Sequence, residues 1–265
     1  MQLAMLFLLT TLIHLVGTGS YAARLAGVRT GQPALVSSLY SALALSARGA
    51  NALVNPLVAS ITDLAVTGGN VQPLLTTYRV QMLAATAGTL VAAQLIPSLS
   101  RILAAGVASY EKRRSLPRVI VRGATVRGLW RIQQSLAQPR ISTFVEARKS
   151  PFPKRFLLAS ILVTALATVG SAAALYASTL VPQGARTAPS LSPLFTGIGA
   201  MLSIMWIDPV AAFVSDRALR GEQPLKTVTY ITVWQVGARF VGTLLAQALF
   251  LPLSWAIAAL TRLLV

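Results

Sequence analysis

Six apolar stretches, running approximately over residues 2–23, 32–60, 79–108, 156–181, 194–215 and 228–260, constrain this chain more than any other feature. Each has about 20 residues or more, enough to cross a hydrocarbon core roughly 30 Å thick. Inside hydrocarbon every backbone N–H and C=O must find its partner within the protein, which leaves helices and closed barrels. Long continuous apolar runs, rather than short alternating ones, select helices. The expected fold class is therefore an all-α polytopic membrane protein with six transmembrane helices. Several stretches exceed 25 residues, so tilted helices or helices that continue past the lipid are expected. Charged residues make up 11% of the chain, against about a quarter in soluble domains.

The charges are unbalanced: 23 Lys and Arg face 6 Asp and Glu, a formal net charge of +17. The basic residues collect between apolar stretches, which points to anionic lipid and membrane orientation rather than to nucleic acid. The first connection holds Arg24 and Arg29, the third holds twelve basic residues between 109 and 155, and the fifth holds Arg217, Arg220 and Lys226. The second carries Asp63, and the fourth carries Arg186 among Pro182, Pro189 and Pro193. Positive charge stays cytoplasmic, so both termini are expected outside. Met1–Thr10 has no basic residue ahead of its apolar run, which reads as a retained first span rather than a cleaved signal.

Three regions follow: a first three-helix unit at 1–108, a basic connection at 109–155 and a second three-helix unit at 156–265. Within the connection, Arg118 and Arg122, and likewise Arg127 and Arg131, are four apart beside Val119, Val126, Leu129, Trp130 and Ile132. This pattern predicts an amphipathic helix lying on the anionic cytoplasmic surface.

The two units resemble each other at an offset near 153. Asn55-Pro56-Leu57-Val58-Ala59 recurs as Asp208-Pro209-Val210-Ala211-Ala212, and Val16-Gly17-Thr18 as Val169-Gly170-Ser171. Gly88-Thr89-Leu90 recurs as Gly242-Thr243-Leu244. A repeat of three spans must insert upside down, and such 3+3 inverted repeats are characteristic of transporters with a substrate path near the midplane.

Polar residues inside the spans supply the candidate site. Arg48 and Asn51 share a face of the second span, Asp208 lies in the fifth, Arg239 in the sixth and His14 in the first. An arginine at mid-membrane costs roughly 2.5–3.5 kcal/mol unless paired or hydrated. Arg48 and Arg239 suit capture of an anionic group such as a pyrophosphate, or structural pairing with Asp208. Asp208, ahead of Pro209, is expected at a helix break, with pairing to an arginine favoured over carriage of a coupling proton. His14 is a candidate proton relay or a polar contact between helices. Asn55-Pro56 is expected to kink the second span. Arg24, Arg29 and Arg101 lie near cytoplasmic helix ends, where snorkelling accounts for them.

The chain has no cysteine and one histidine, and it shows no nucleophile–base grouping, phosphate loop or metal-ligand spacing. An enzyme, a metal site and a cofactor are not expected.

Ile13-His14-Leu15, Ser20-Tyr21 and Arg24-Leu25-Ala26-Gly27-Val28-Arg29-Thr30 resemble the signature of the Amj family of alternate lipid II flippases. Ser46-Ala47-Arg48-Gly49-Ala50-Asn51, with Pro56 beyond, is similar to that family's second-span pattern, except that Ala47 intervenes before the arginine. The resemblance implies a bacterial inner-membrane protein that moves lipid-linked peptidoglycan precursor to the outer leaflet. It implies lipid II as the substrate, with Arg24 and Arg29 meeting the headgroup at the cytoplasmic mouth. A flippase for another anionic lipid-linked substrate, or a scaffold without transport, fits the same composition.

Overall fold

The computed structural model describes residues 1–123, 125, 130, 133–150 and 153–265, with side chains except at 43, 48, 116, 120 and 122. Ten α-helices carry the described residues: α1 (Gln2–Thr30), α2 (Pro33–Thr67), α3 (Gln72–Arg113), α4 (Leu116–Gly123), α5 (Ile141–Lys149), α6 (Lys154–Leu180), α7 (Thr187–Ser190), α8 (Ser192–Leu202), α9 (Asp208–Leu219) and α10 (Leu225–Arg262). Six units among them are long and apolar enough to cross a membrane, counting Thr187–Leu219 as one. The helices overrun the hydropathy limits at several ends, because charged and polar turns continue a helix once it leaves the lipid.

Local chemistry explains the joints. Gly31 ends α1 in the left-handed region, at φ 68°, where the N–H of Gln32 closes back on the Gly27 carbonyl at 3.1 Å. Pro33, with its preset φ, then opens α2. A β-carbon on Gly27 would stand 2.8 Å from Pro33 Cα, so the turn is this tight only with glycine there. Pro56 lies inside α2, which continues past it to Thr67.

The fifth span is instead built in pieces. A π-helical turn at Ser203–Ile207 joins α8 to α9, and Asp208-Pro209 follows it at once. Pro209 has no N–H to return to the preceding turn, and a widened turn accommodates the freed carbonyl. The expected break before Pro209 is thus a π-turn.

The two units pair their helices alike. α1 packs most extensively on α3, and α6 packs most extensively on α10. Small residues permit these approaches. A β-carbon on Gly88 would lie 2.3 Å from the Thr11 carbonyl oxygen, and one on Gly242 would lie 2.7 Å from that of Ile161 and 2.6 Å from Thr164 Cβ. α3 also packs on α10, and α1 on α10, joining the units. One apolar cluster fills the half remote from the basic connection, around Tyr78, Ala173, Ala177 and Phe250. There the rings of Tyr78, Tyr176 and Phe250 meet edge-on or tilted, with centroids 5.3–6.1 Å apart. A second cluster, around Ala22, Val36 and Val107, fills the half beside the basic connection.

Candidate functional site

Two antiparallel helices, α1 and α10, carry the polar groups that matter. Gln235 and Arg239 are four apart on α10 and share a face, as do Gly17, Ser20 and Arg24 on α1. Arg24 Nη1 donates to Gln235 Oε1 at 2.5 Å, and Gln235 itself is buried. The Asp208 carboxylate on α9 lies within electrostatic reach of Arg24.

One turn and more deeper, a β-carbon on Gly17 would stand 2.6 Å from Arg239 Nη2. Glycine at 17 therefore makes room for the guanidinium to lie against α1. His14 on α1 and Tyr40 on α2 lie within electrostatic reach of its charge. Arg239 Nε is buried without a hydrogen-bond partner, and so is His14 Nδ1. Among the described residues no carboxylate lies within ion-pair distance of Arg239, and the ion pairs join Arg217 and Arg220 to Asp216 and Glu222. A guanidinium left this way within a span is a cation without its anion.

Beside Arg24 a half-open cavity of about 350 Å³ lies between α1, α2 and α9, with Ser20, Arg24, Ser37, Tyr40, Ser41 and Ser215 on its walls. Five hydroxyls and a guanidinium line it; Ser20, Tyr40 and Ser215 already donate to the carbonyls of Gly17, Val16 and Ala211, which leaves Ser37, Ser41 and Arg24 as the donors that face the cleft. Tyr40 closes its deep end, donating its phenol to the Val16 carbonyl. The cleft lies in the half of the bundle beside the basic connection, because its walls come from the second half of α1, the first turns of α2 and the later turns of α9.

The other expected residues fall as follows. Arg29 donates to Ser100 Oγ on α3 at 3.1 Å, so it holds α1 to α3. Asp208 is exposed and accepts from Ser203 Oγ at 3.5 Å; among the described residues it has no arginine within ion-pair distance. Asn51 is exposed on α2. The side chain of Arg48 lies outside the described residues. Residues 126–129, 131 and 132 of the expected amphipathic helix also lie outside; α4 covers Arg118 and Val119.

Sequence reasoning missed Gln235 and Tyr40. Gln235 could have been found from its place four residues before Arg239, facing the same way inside a span. It also missed α5, which packs on α10: Tyr230 donates to Glu146 Oε2 at 2.7 Å and Trp234 Nε1 to the Ala147 carbonyl at 3.0 Å.

Six membrane-long helices around a half-open polar cleft define a multi-pass α-helical membrane protein. The chain belongs to the Amj family, described as Alternate to MurJ, whose model matches residues 9–261. It is 30% identical over 263 residues to a Bacillus subtilis (strain 168) protein named Lipid II flippase Amj, covering 98% of this chain and 97% of that one. No solved structure matches the chain.

Proposed function

We propose that this protein is a lipid II flippase of a bacterial cytoplasmic membrane, with the cleft at Arg24 as the headgroup's way in and Arg239 as its inner anion station. The observation that carries this reading is the buried, partnerless Nε of Arg239 in the middle of a span. A cation within a span without a counter-charge is costly, and a substrate pyrophosphate supplies the missing charge through paired N–H···O bonds. The family relative's name supports the substrate.

The sequence of events follows from the layout. With the basic connection inside, the cleft faces the cytoplasm and the aromatic cluster of Tyr78, Tyr176 and Phe250 closes the outer half. The headgroup meets Arg24 first, among the hydroxyls of Ser20, Ser37, Ser41 and Ser215, while its polyprenyl chain stays in lipid between α2 and α9. Arg239 lies about a turn or two deeper, within one short step for a phosphate. Arg48 and, three residues on, the exposed Asn51 of α2 remain candidates for contact with the headgroup. An inside-negative potential favours outward movement of negative charge by about 2.3 kcal/mol per charge per 100 mV. Asp208 and His14 are the groups available if a proton is carried.

Release on the other side requires the cleft to close and the outer half to open. The matched helix pairs α1–α3 and α6–α10, with their glycine contacts at Gly88 and Gly242, support an inverted 3+3 repeat whose units rock against each other. Both termini are then outside.

The test is lipid II exposure on cells depleted of other lipid II flippases. Wild-type protein restores exposure and Arg239→Ala, at equal membrane abundance, does not. Lipid II retained inside by well-expressed wild type overturns the function; restoration by Arg239→Ala overturns the role of the arginine.

A further inference from the structure

We infer that the crevice between α5 and α10 is a binding site for an anionic phospholipid of the leaflet on the basic side. α5 is amphipathic in an unusual sense. Its inner side is pinned to α10 by the Glu146–Tyr230 and Ala147–Trp234 hydrogen bonds, with Ala147 fully buried. Its other side presents Ile141, Phe144 and Val145, which are 83%, 59% and 45% exposed. These three recur at the i, i+3, i+4 spacing of one helical face, and water is a poor neighbour for them.

The charge around the helix identifies the occupant. Arg140, Arg148, Lys149, Lys154 and Arg155 are all exposed, and none of them has an ion-pair partner among the described residues. The single acid of the helix, Glu146, is already engaged by the Tyr230 hydroxyl. An exposed apolar face flanked by unpaired cations fits an anionic lipid surface, with the apolar side chains at the acyl boundary and the cations at the phosphates. Between the two helices a crevice of about 160 Å³ is walled by Phe144, Ala147, Arg148, Val233 and Trp234. Its walls are apolar except for Arg148 at the rim. That combination takes the upper part of an acyl chain against Val233 and Trp234, with the headgroup phosphate on the guanidinium.

The site adjoins the cleft without sharing a residue with it. Trp234 immediately precedes Gln235, so the segment of α10 that holds the lipid also positions the acceptor of Arg24. The inference stands apart from the flippase reading, since binding requires no transport.

The experiment uses the full chain with Trp130, Trp206 and Trp255 replaced by Phe, so that fluorescence reports Trp234 alone. Vesicles of phosphatidylcholine carry a minor fraction of either brominated phosphatidylglycerol or brominated phosphatidylcholine. The anionic quencher is expected to act at about fivefold lower mole fraction than the zwitterionic one, and Arg148→Gln is expected to remove most of that preference, at roughly fivefold per basic residue near a lipid surface. Arg148→Lys keeps it, since a point charge remains. Equal quenching by both lipids, or a preference unchanged in Arg148→Gln, overturns the site. Competition by the polyprenyl-pyrophosphate substrate at stoichiometric level would overturn the assignment to phospholipid.

Discussion

Arg24 on α1 and Gln235 on α10, 211 positions apart in the chain, meet through an Nη1–Oε1 hydrogen bond of 2.5 Å inside the half of the bundle nearest the basic connection. The bond matters in two ways. It fixes one edge of the guanidinium, which leaves other N–H groups aimed at the cleft. It also joins the first unit to the second at the level where the cleft begins.

Arg24→Ala leaves the Gln235 amide oxygen buried without its donor, at a cost of about 1–3 kcal/mol. The variant is expected to melt several degrees lower in detergent and to lose lipid II exposure. Gln235→Ala removes the tether but keeps the charge, so it lowers stability while retaining more exposure than Arg24→Ala. Equal transport loss in both variants would mean that Arg24 acts only as a brace.

Arg239 behaves in the opposite way. Its Nε is buried and unpartnered, so Arg239→Met, which keeps much of the volume without the charge, leaves the melting temperature unchanged or raises it. Exposure of lipid II falls about tenfold or more, the worth of a charged hydrogen-bond pair. A clearly lower melting temperature would show that the guanidinium is structurally satisfied after all.

Gly242→Ala drives a methyl group to 2.7 Å from the Ile161 carbonyl and 2.6 Å from Thr164 Cβ. Backbone cannot yield cheaply, and overpacking of this kind costs about 1–3 kcal/mol. Gly88→Ala meets the Thr11 carbonyl in the same manner and carries a similar penalty. Gly237→Ala, with nothing within 4 Å of the new atom, is neutral or stabilising. Thermal unfolding of the three variants side by side gives the comparison, and equal melting temperatures would contradict the close packing.

Tyr78 is fully buried and shares a 2.6 Å hydrogen bond with Thr62 Oγ1. Thr62 donates its own proton to the Val58 carbonyl at 2.8 Å, so the phenol is the donor between the two. Tyr78→Phe removes that proton and loosens the link between α2 and α3 by about 1 kcal/mol. Faster labelling of a cysteine placed at Leu74, buried in the same cluster, by an outside reagent, in Tyr78→Phe against Tyr78, is the expected sign that this cluster closes the outer half. Unchanged labelling would place the outer closure elsewhere.

What the sequence determined by itself is the set of properties that lipid imposes on a chain one segment at a time. Hydrocarbon tolerates no unpaired backbone, so apolar runs of sufficient length became the six spanning units, and Pro209 marked the break that the π-turn at Ser203–Ile207 occupies. The Arg24–Thr30 and Ser46–Asn51 motifs announced the family to which the chain belongs. The single-span polar residues could also be picked out singly, since an arginine in hydrocarbon is conspicuous wherever it points. Their relations could not. Asp208, expected to pair with an arginine, lies exposed next to Ser203 and within electrostatic reach of Arg24, without an ion pair among the described residues, and the tether of Arg24 is a glutamine that hydropathy passes over. Gly17 reads as one small residue among many until α10 lays Arg239 against it. α5 is too short for a periodicity signal and gains its order from Tyr230 and Trp234. These contacts depend on which helices lie side by side and at what register, and that is decided by packing among faces of nearly equal apolarity. In lipid no hydrophobic force ranks such faces, so close approach at glycines and a few polar bonds chose the partners, and only the tertiary structure records the choice.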